Sequence, residues 1–262
     1  MIIAPLISQK GGAGKTLISA SLSAALAIRG YRVWLIDLDP NATLSKVMGI
    51  GNPTGVNGAL TYIMGFTKSI KVHTATMENN TIANVKVIPP GTTSGINPDG
   101  ALPSTPVLTS RLSSLINGIG NYRVRPNFVL IDTPTLNPTL NPSLTASLIN
   151  IANLLILVTT DEPGGSNWVG SLLEYALTIT QGRRQEYVVI MNKLINIKGG
   201  FDLGARYMVR ILRNPGVEAA WRVGSIPYLI KDPELNQFRK AIDELASILE
   251  KINAELTWVT QQ

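Results

Sequence analysis

The chain has 262 residues, no cysteine and a formal charge of +6. Without thiols there can be no disulfide, thiolate zinc site or thiolate-held iron–sulfur cluster. At 45% hydrophobic and 15% charged residues, the composition excludes a disordered chain, and the basic surplus favours a polyanionic partner, nucleic acid or acidic membrane, without choosing between them.

No basic region precedes the opening apolar run, and the most apolar later stretch, 148–158, carries Asn150 and Asn153 and is too short to span a bilayer. A cytoplasmic protein is expected. In chain order, short apolar runs at 2–8, 33–37, 85–88, 128–132, 154–159, 187–192 and 223–226 read as strands buried on both faces. Between them, 15–29, 105–117, 143–151, 166–181, 201–213 and 233–256 read as helices. Such alternation predicts an α/β fold in one domain, 1–262: a doubly wound, mainly parallel sheet flanked by helices. Ligands then bind at the carboxyl ends of the strands. The stretches 49–58 and 89–106 are rich in Gly, Pro, Asn and Thr and read as surface loop, with part of 65–84 an excursion from the core.

The first strand runs into Lys10-Gly11-Gly12-Ala13-Gly14-Lys15-Thr16, and a helical run follows. Glycines there let backbone N–H groups approach phosphate oxygens with no Cβ in the way, and the helix N-terminus adds partial positive charge. Lys15 supplies a full charge to the β- and γ-phosphates, and the Thr16 hydroxyl can ligate Mg²⁺. A chance match to this pattern is on the order of 1 in 10⁴. The loop binds a nucleoside triphosphate, with Mg-ATP the expected form. Gln9 stands where an ordinary phosphate loop has its first glycine, and Lys10 adds a second lysine beside it.

Lys-Gly-Gly-x-Gly-Lys-Thr resembles the deviant Walker A loop of the ParA/MinD family of P-loop ATPases. Asp37-Leu38-Asp39-Pro40-Asn41-Ala42-Thr43 is similar to that family's first switch segment, and Val129-Leu130-Ile131-Asp132-Thr133-Pro134 to its Walker B strand and second switch. Val85 to Gly91 resembles the strand and turn between them, while Met191-Asn192-Lys193 and Ser225-Ile226-Pro227 sit where the family places its adenine-contacting loops.

The resemblance implies roles for these positions. Lys10 reaches across a nucleotide-sandwiched homodimer to the partner's phosphates, and with Lys15 and Asp39 forms the catalytic set, Asp39 orienting the attacking water. Thr16, Asp37 and Asp132 serve Mg²⁺. Gly11, Gly12, Ala13, Gly14, Lys15, Thr16, Leu17, Asn192 and Pro227 form the nucleotide site. A helix cap at 41–48 is a second role open to Asp39, and a turn role to Asn192. Leu17 replaces a second hydroxyl usual in the family, the first switch lacks the Gln-Gly after Asp-Pro, and Thr133-Pro134-Thr135 replaces x-Pro-Pro. His73, the one histidine, is assigned nothing, and Lys198-Gly199-Gly200-Phe201 is a turn.

Arg206, Arg210 and Arg213 fall at helical spacing within 201–213, and Arg183, Arg184, Lys193, Lys198 and Arg222 lie in the same third of the chain. Such a cluster predicts salt-dependent DNA binding without sequence preference; a solvated helix face with an Asp202–Arg206 pair is the plainer alternative. Helix 233–256 carries five acids and three bases and suits anionic lipid poorly. The expectation is a slow, nucleoid-associated ParA-like partitioning ATPase with no extra N-terminal DNA-binding domain. Its partners would be nonspecific DNA and a ParB-like centromere-binding protein, with no membrane. A MinD-like membrane-associated positioning ATPase is the alternative.

Overall fold

The computed structural model describes residues 1–53, 57–77, 80–91, 102–139, 141–162, 164–182, 185–196, 198 and 204–259. Eight strands form one sheet: β1 (Ile2–Ile7), β2 (Val33–Asp37), β3 (His73–Met77), β4 (Asn80–Ile88), β5 (Phe128–Asp132), β6 (Leu154–Thr160), β7 (Glu186–Leu194) and β8 (Met208–Leu212). Their order across the sheet is β3-β4-β2-β5-β1-β6-β7-β8. Every neighbouring pair is parallel except β3 with β4. The doubly wound, mainly parallel sheet predicted from the alternation is the fold.

The central strands are buried along their whole length, as in Val33–Asp37 and Phe128–Asp132. That is why they read as continuous apolar runs rather than alternating ones. Each sheet face carries its own apolar layer. On one face lie α1 (Lys15–Ile28), α2 (Thr43–Val47), α7 (Pro215–Arg222) and α8 (Asn236–Val259). On the other lie α3 (Ala59–Met64), α4 (Thr105–Gly120), α5 (Pro142–Ile151) and α6 (Gly165–Ile179). Helix α8 buries Phe238, Ile242, Leu245, Leu249 and Ile252, one stripe at helical spacing. Each fully buried side chain of this kind contributes about 1.5–3 kcal/mol. Arg29, at the end of α1, ties the two helices together through Asp243 and Glu250.

Three predicted elements differ. The helix expected over 201–213 is not there: among its described residues, 208–212 form strand β8. Val209 and Ile211 point into the core while Met208, Arg210 and Leu212 are half-buried, a period of two. Gly204, at φ +60°, sits just before it. Arginines at 206, 210 and 213 match a helix stripe, but the β-branched residues between them set the strand. The stretch 223–226, expected as a strand, is instead the turn that follows α7. Gly224, at φ +81°, donates its N–H to Trp221 O and Ser225 donates to Ala220 O, closing the helix. The expected excursion in 65–84 includes β3, an antiparallel edge strand on β4 with a register irregularity between Thr74 and Ala75.

The sheet brings the carboxyl ends of β1, β2 and β5 side by side. Asp37 and Asp132 are register partners, and Leu6 pairs with Asp132 on the other side. The loop that follows β1 therefore opens over two buried carboxylates.

Candidate nucleotide site

The loop between β1 and α1 takes backbone shapes that only glycine holds without strain. Gly12 and Gly14 sit at φ +73° and +100°. A Cβ on Gly14 would also come within 2.2 Å of the Asn192 amide nitrogen. Asn192 is 3% exposed, donates to Ala13 O at 2.8 Å and accepts from Lys193 N at 2.9 Å. It is thus placed as a brace under the loop. The bracing follows from a bulge in β7: its register with β8 shifts between Met191 and Leu194, and Lys193 is left-handed at φ +61°. Ala13 is buried beneath the same loop.

Lys15, the first residue of α1, is 7% exposed, and burial lowers its pKa against the opposing pull of Asp132 and Asp39. Asp132 is wholly buried at the end of β5; Ser19 donates to its Oδ1 at 3.3 Å, and Oδ2 has no hydrogen-bond partner among the described residues. Burial, then the neighbouring Asp37, push its pKa up to about 8, with the Thr16 hydroxyl and Lys15 offsetting part of the rise. Asp37, also wholly buried, is raised to about 6, mainly by burial. Its Oδ2 accepts from the Ser45 N–H and hydroxyl and its Oδ1 from the Asp39 N–H, so it anchors both the first switch segment and α2. Asp39 turns outward and accepts from the Asn41 N–H and side-chain amide, 2.9 Å each. It shapes the turn before α2, whose N-cap is Ala42.

A carboxylate oxygen left buried without a partner costs free energy that a cation would remove. Asp132 Oδ2 beside Lys15 and Thr16 fits a magnesium ion carried on nucleotide phosphates. Among the described residues no group of three or more His, Cys, Asp or Glu could hold a metal by itself.

A cavity of about 610 Å³ opens over the loop, within the range of small-molecule sites. Gly11, Gly12, Gly14, Lys15, Thr16 and Leu17 line it, with Asp39 and Thr135 from the two switch segments. Its wall also includes Lys193, Arg213, Glu218, Trp221 and Arg222. Pro227 is buried in a single 3₁₀ turn (Pro227–Leu229) and is not among the lining residues. Lys10 is also outside this lining: it lies in a smaller hollow with Gln9, Thr160 and Trp168, paired with Glu162 and with its side chain 56% exposed. The loop's two lysines face different spaces.

The arginine stripe dissolves along with its helix. Arg206 pairs with Glu186 and Glu255 and lies over the Tyr207 ring. Arg213 pairs with Glu218 and, like Arg222, lines the nucleotide cavity, while Arg210 is on β8. Arg183 and Arg184 lie outside the described residues. Sequence reasoning missed Trp221 and Glu218, because their eight-residue helix falls between the helix expected over 201–213 and the strand expected over 223–226 and is too short to give a periodic signal. It also missed Ser19 and Ser45, ordinary small residues until the fold sets them against Asp132 and Asp37.

Over residues 1–190 the chain matches the model of a family described as AAA domain. It is 50% identical over 46 residues to the chromosome partitioning protein ParA of Caulobacter vibrioides, covering 18% of this chain and 17% of that one. Over 48 residues it is 46% identical to the sporulation initiation inhibitor protein Soj of Bacillus subtilis, 18% and 19% of the two chains. The chain spans between 11% and 60% of the length of the curated relatives it matches. The septum site-determining protein MinD of Pyrococcus horikoshii, solved with Mg-ADP, shares the fold at a TM-score of 0.69, with 23% identity over 96% of each chain. The chain therefore belongs to this AAA-domain family, as a P-loop ATPase of the ParA/MinD type.

Proposed function

We propose that this is a ParA-like partitioning ATPase, slow and Mg-dependent, that dimerises around ATP, holds DNA without sequence preference and is released when a ParB-like partner stimulates hydrolysis. The observation that carries the reading is the separation of the two loop lysines. Lys15 lies buried against the cavity of its own subunit, whereas Lys10 is exposed outside it. A lysine so placed suits the phosphates of a second subunit. The partitioning proteins among the relatives support the same role.

In hydrolysis, water attacks the γ-phosphorus, the bond to the β–γ bridging oxygen breaks, and ADP and phosphate leave. Backbone N–H groups of Gly11 to Thr16 hold the phosphates, and Lys15 offsets charge on the oxygens of the transferring group. Asp39 fixes Asn41 with one oxygen and orients the attacking water with the other. Mg²⁺, when bound, neutralises charge on the β- and γ-phosphates, and Thr16 with Asp37 and Asp132 would hold it. Leu17 lines the cavity where a hydroxyl would add a contact, which weakens nucleotide binding.

DNA binding is proposed on the net charge of +6 and the partitioning relatives. A MinD-like role on membrane is the competing reading, which the shared fold leaves open; against it, α8 packs its apolar stripe on the core. Cosedimentation with DNA and with anionic vesicles, each with Mg-ATP or Mg-ADP, separates them. The expected result is ATP-dependent retention on DNA that falls steeply with salt. Retention on vesicles alone would replace the reading by the MinD-like one.

A further inference from the structure

Phosphates on the loop leave the base and ribose to the rest of the same cavity. The family resemblance assigns the base to Asn192 and Pro227, but neither is among the residues that line this cavity. Asn192 uses its amide nitrogen on Ala13 and its oxygen on Lys193. Beyond Asn41, Thr43, Lys193 and Arg213, the remaining wall is one face of α7. Glu218, Trp221 and Arg222 stand at i, i+3 and i+4, which puts all three on the same side of a helix. Among the described residues that line the cavity, Trp221 is the one aromatic. It is half-buried and, like Leu17, packs against the core.

This helix is fixed at both ends. The Asn214 side chain accepts from the N–H groups of Gly216 and Val217 and donates to Glu234 O, and Gly224 closes the far end. Glu218 accepts from Arg213 Nε at 3.1 Å, so the carboxylate at the cavity is held in place by a cation on the same wall. A flat, apolar ring on a rigid helix, flanked by cations, is the chemistry that takes a purine and its ribose.

We propose that α7 is the base-recognition element of the nucleotide site, with Trp221 stacking on the purine ring. The inference rests on the phosphate-loop reading, and the test keeps the two apart. Titration calorimetry with Mg-ATP and with Mg-tripolyphosphate, which has the phosphates and no base, is run on the wild type, Trp221→Ala and Trp221→Phe. Base stacking on an aromatic side chain gives Trp221→Ala about tenfold weaker ATP binding, equivalent to about 1.4 kcal/mol. Tripolyphosphate affinity is expected to hold within about twofold, and Trp221→Phe to recover most of the ATP affinity. Unchanged ATP affinity in Trp221→Ala overturns the proposal, as does a loss shared equally by tripolyphosphate. A wild type that binds neither ligand would overturn the phosphate-loop reading itself. One that binds both equally well would leave that reading standing and remove base recognition.

Discussion

At the scale of single residues, the site stores an electrostatic cost. Burial and Asp37 raise the Asp132 carboxyl from an ordinary 3.8 to about 8, and Asp37 itself to about 6. Both folded-state values lie above the unfolded ones, so between them the folded chain binds more protons than the unfolded chain. This part of the stability is fully present below about pH 4 and is lost as pH rises through the folded values. Neutralising Asp132 removes its share of the penalty. Asp132→Asn, without nucleotide or Mg²⁺, is expected to melt a few degrees higher than wild type at pH 8 and no higher at pH 4, read by thermal denaturation. A lower melting temperature at pH 8 would mean that the carboxylate is already well solvated. The same substitution removes a charge proposed to hold Mg²⁺, so stability and nucleotide affinity should move in opposite directions.

At the scale of elements, α8 holds α1, and α1 carries the phosphate loop at its N-terminus. Ile242 is fully buried in that contact. Ile242→Ala is expected to cost about 2–5 kcal/mol, lowering the melting temperature by about 2–4 °C per kcal/mol at this chain length. Nucleotide affinity at low temperature should be almost unchanged, since no atom of the site is touched. An unaltered melting temperature would show that α8 adds little to the core. Elements also differ in how plainly their residues announce them. Strands buried on both faces, such as 33–37 and 128–132, announce themselves as short apolar runs, and their aspartates mark the end that faces the ligand. Segment 208–212 did not, because arginines at a spacing of four imitate a helix while alternating Val209 and Ile211 set a strand. Val223 and Ile226 are apolar residues around a helix-closing glycine, and a run that short does not fix its own structure. Leu17, Gly14 and Lys15 were legible because the loop's chemistry is local. Trp221 was not, since only the packed chain carries α7 to a cavity more than two hundred residues from the loop's start in sequence.

At the scale of the whole molecule, the separation of Lys10 from Lys15 is what the proposed role of nucleotide as a signal for assembly rests on. One subunit encloses its phosphates with Lys15 and the loop backbone, and the exposed Lys10 of each is proposed to complete the other's site. Charge supplied from a second subunit adds affinity only when ATP is present, so dimerisation should follow nucleotide state rather than protein concentration alone. The most direct test is molar mass by size-exclusion chromatography with light scattering, on Asp39→Ala, which is expected to bind ATP and hydrolyse it slowly. With Mg-ATP the mass should rise from the 28.2 kDa of one chain to twice that value. With Mg-ADP, or with Lys10→Ala added, it should stay at one chain while ATP remains bound. A protein that binds ATP and stays monomeric, or that dimerises equally well without Lys10, would contradict the shared-site mechanism.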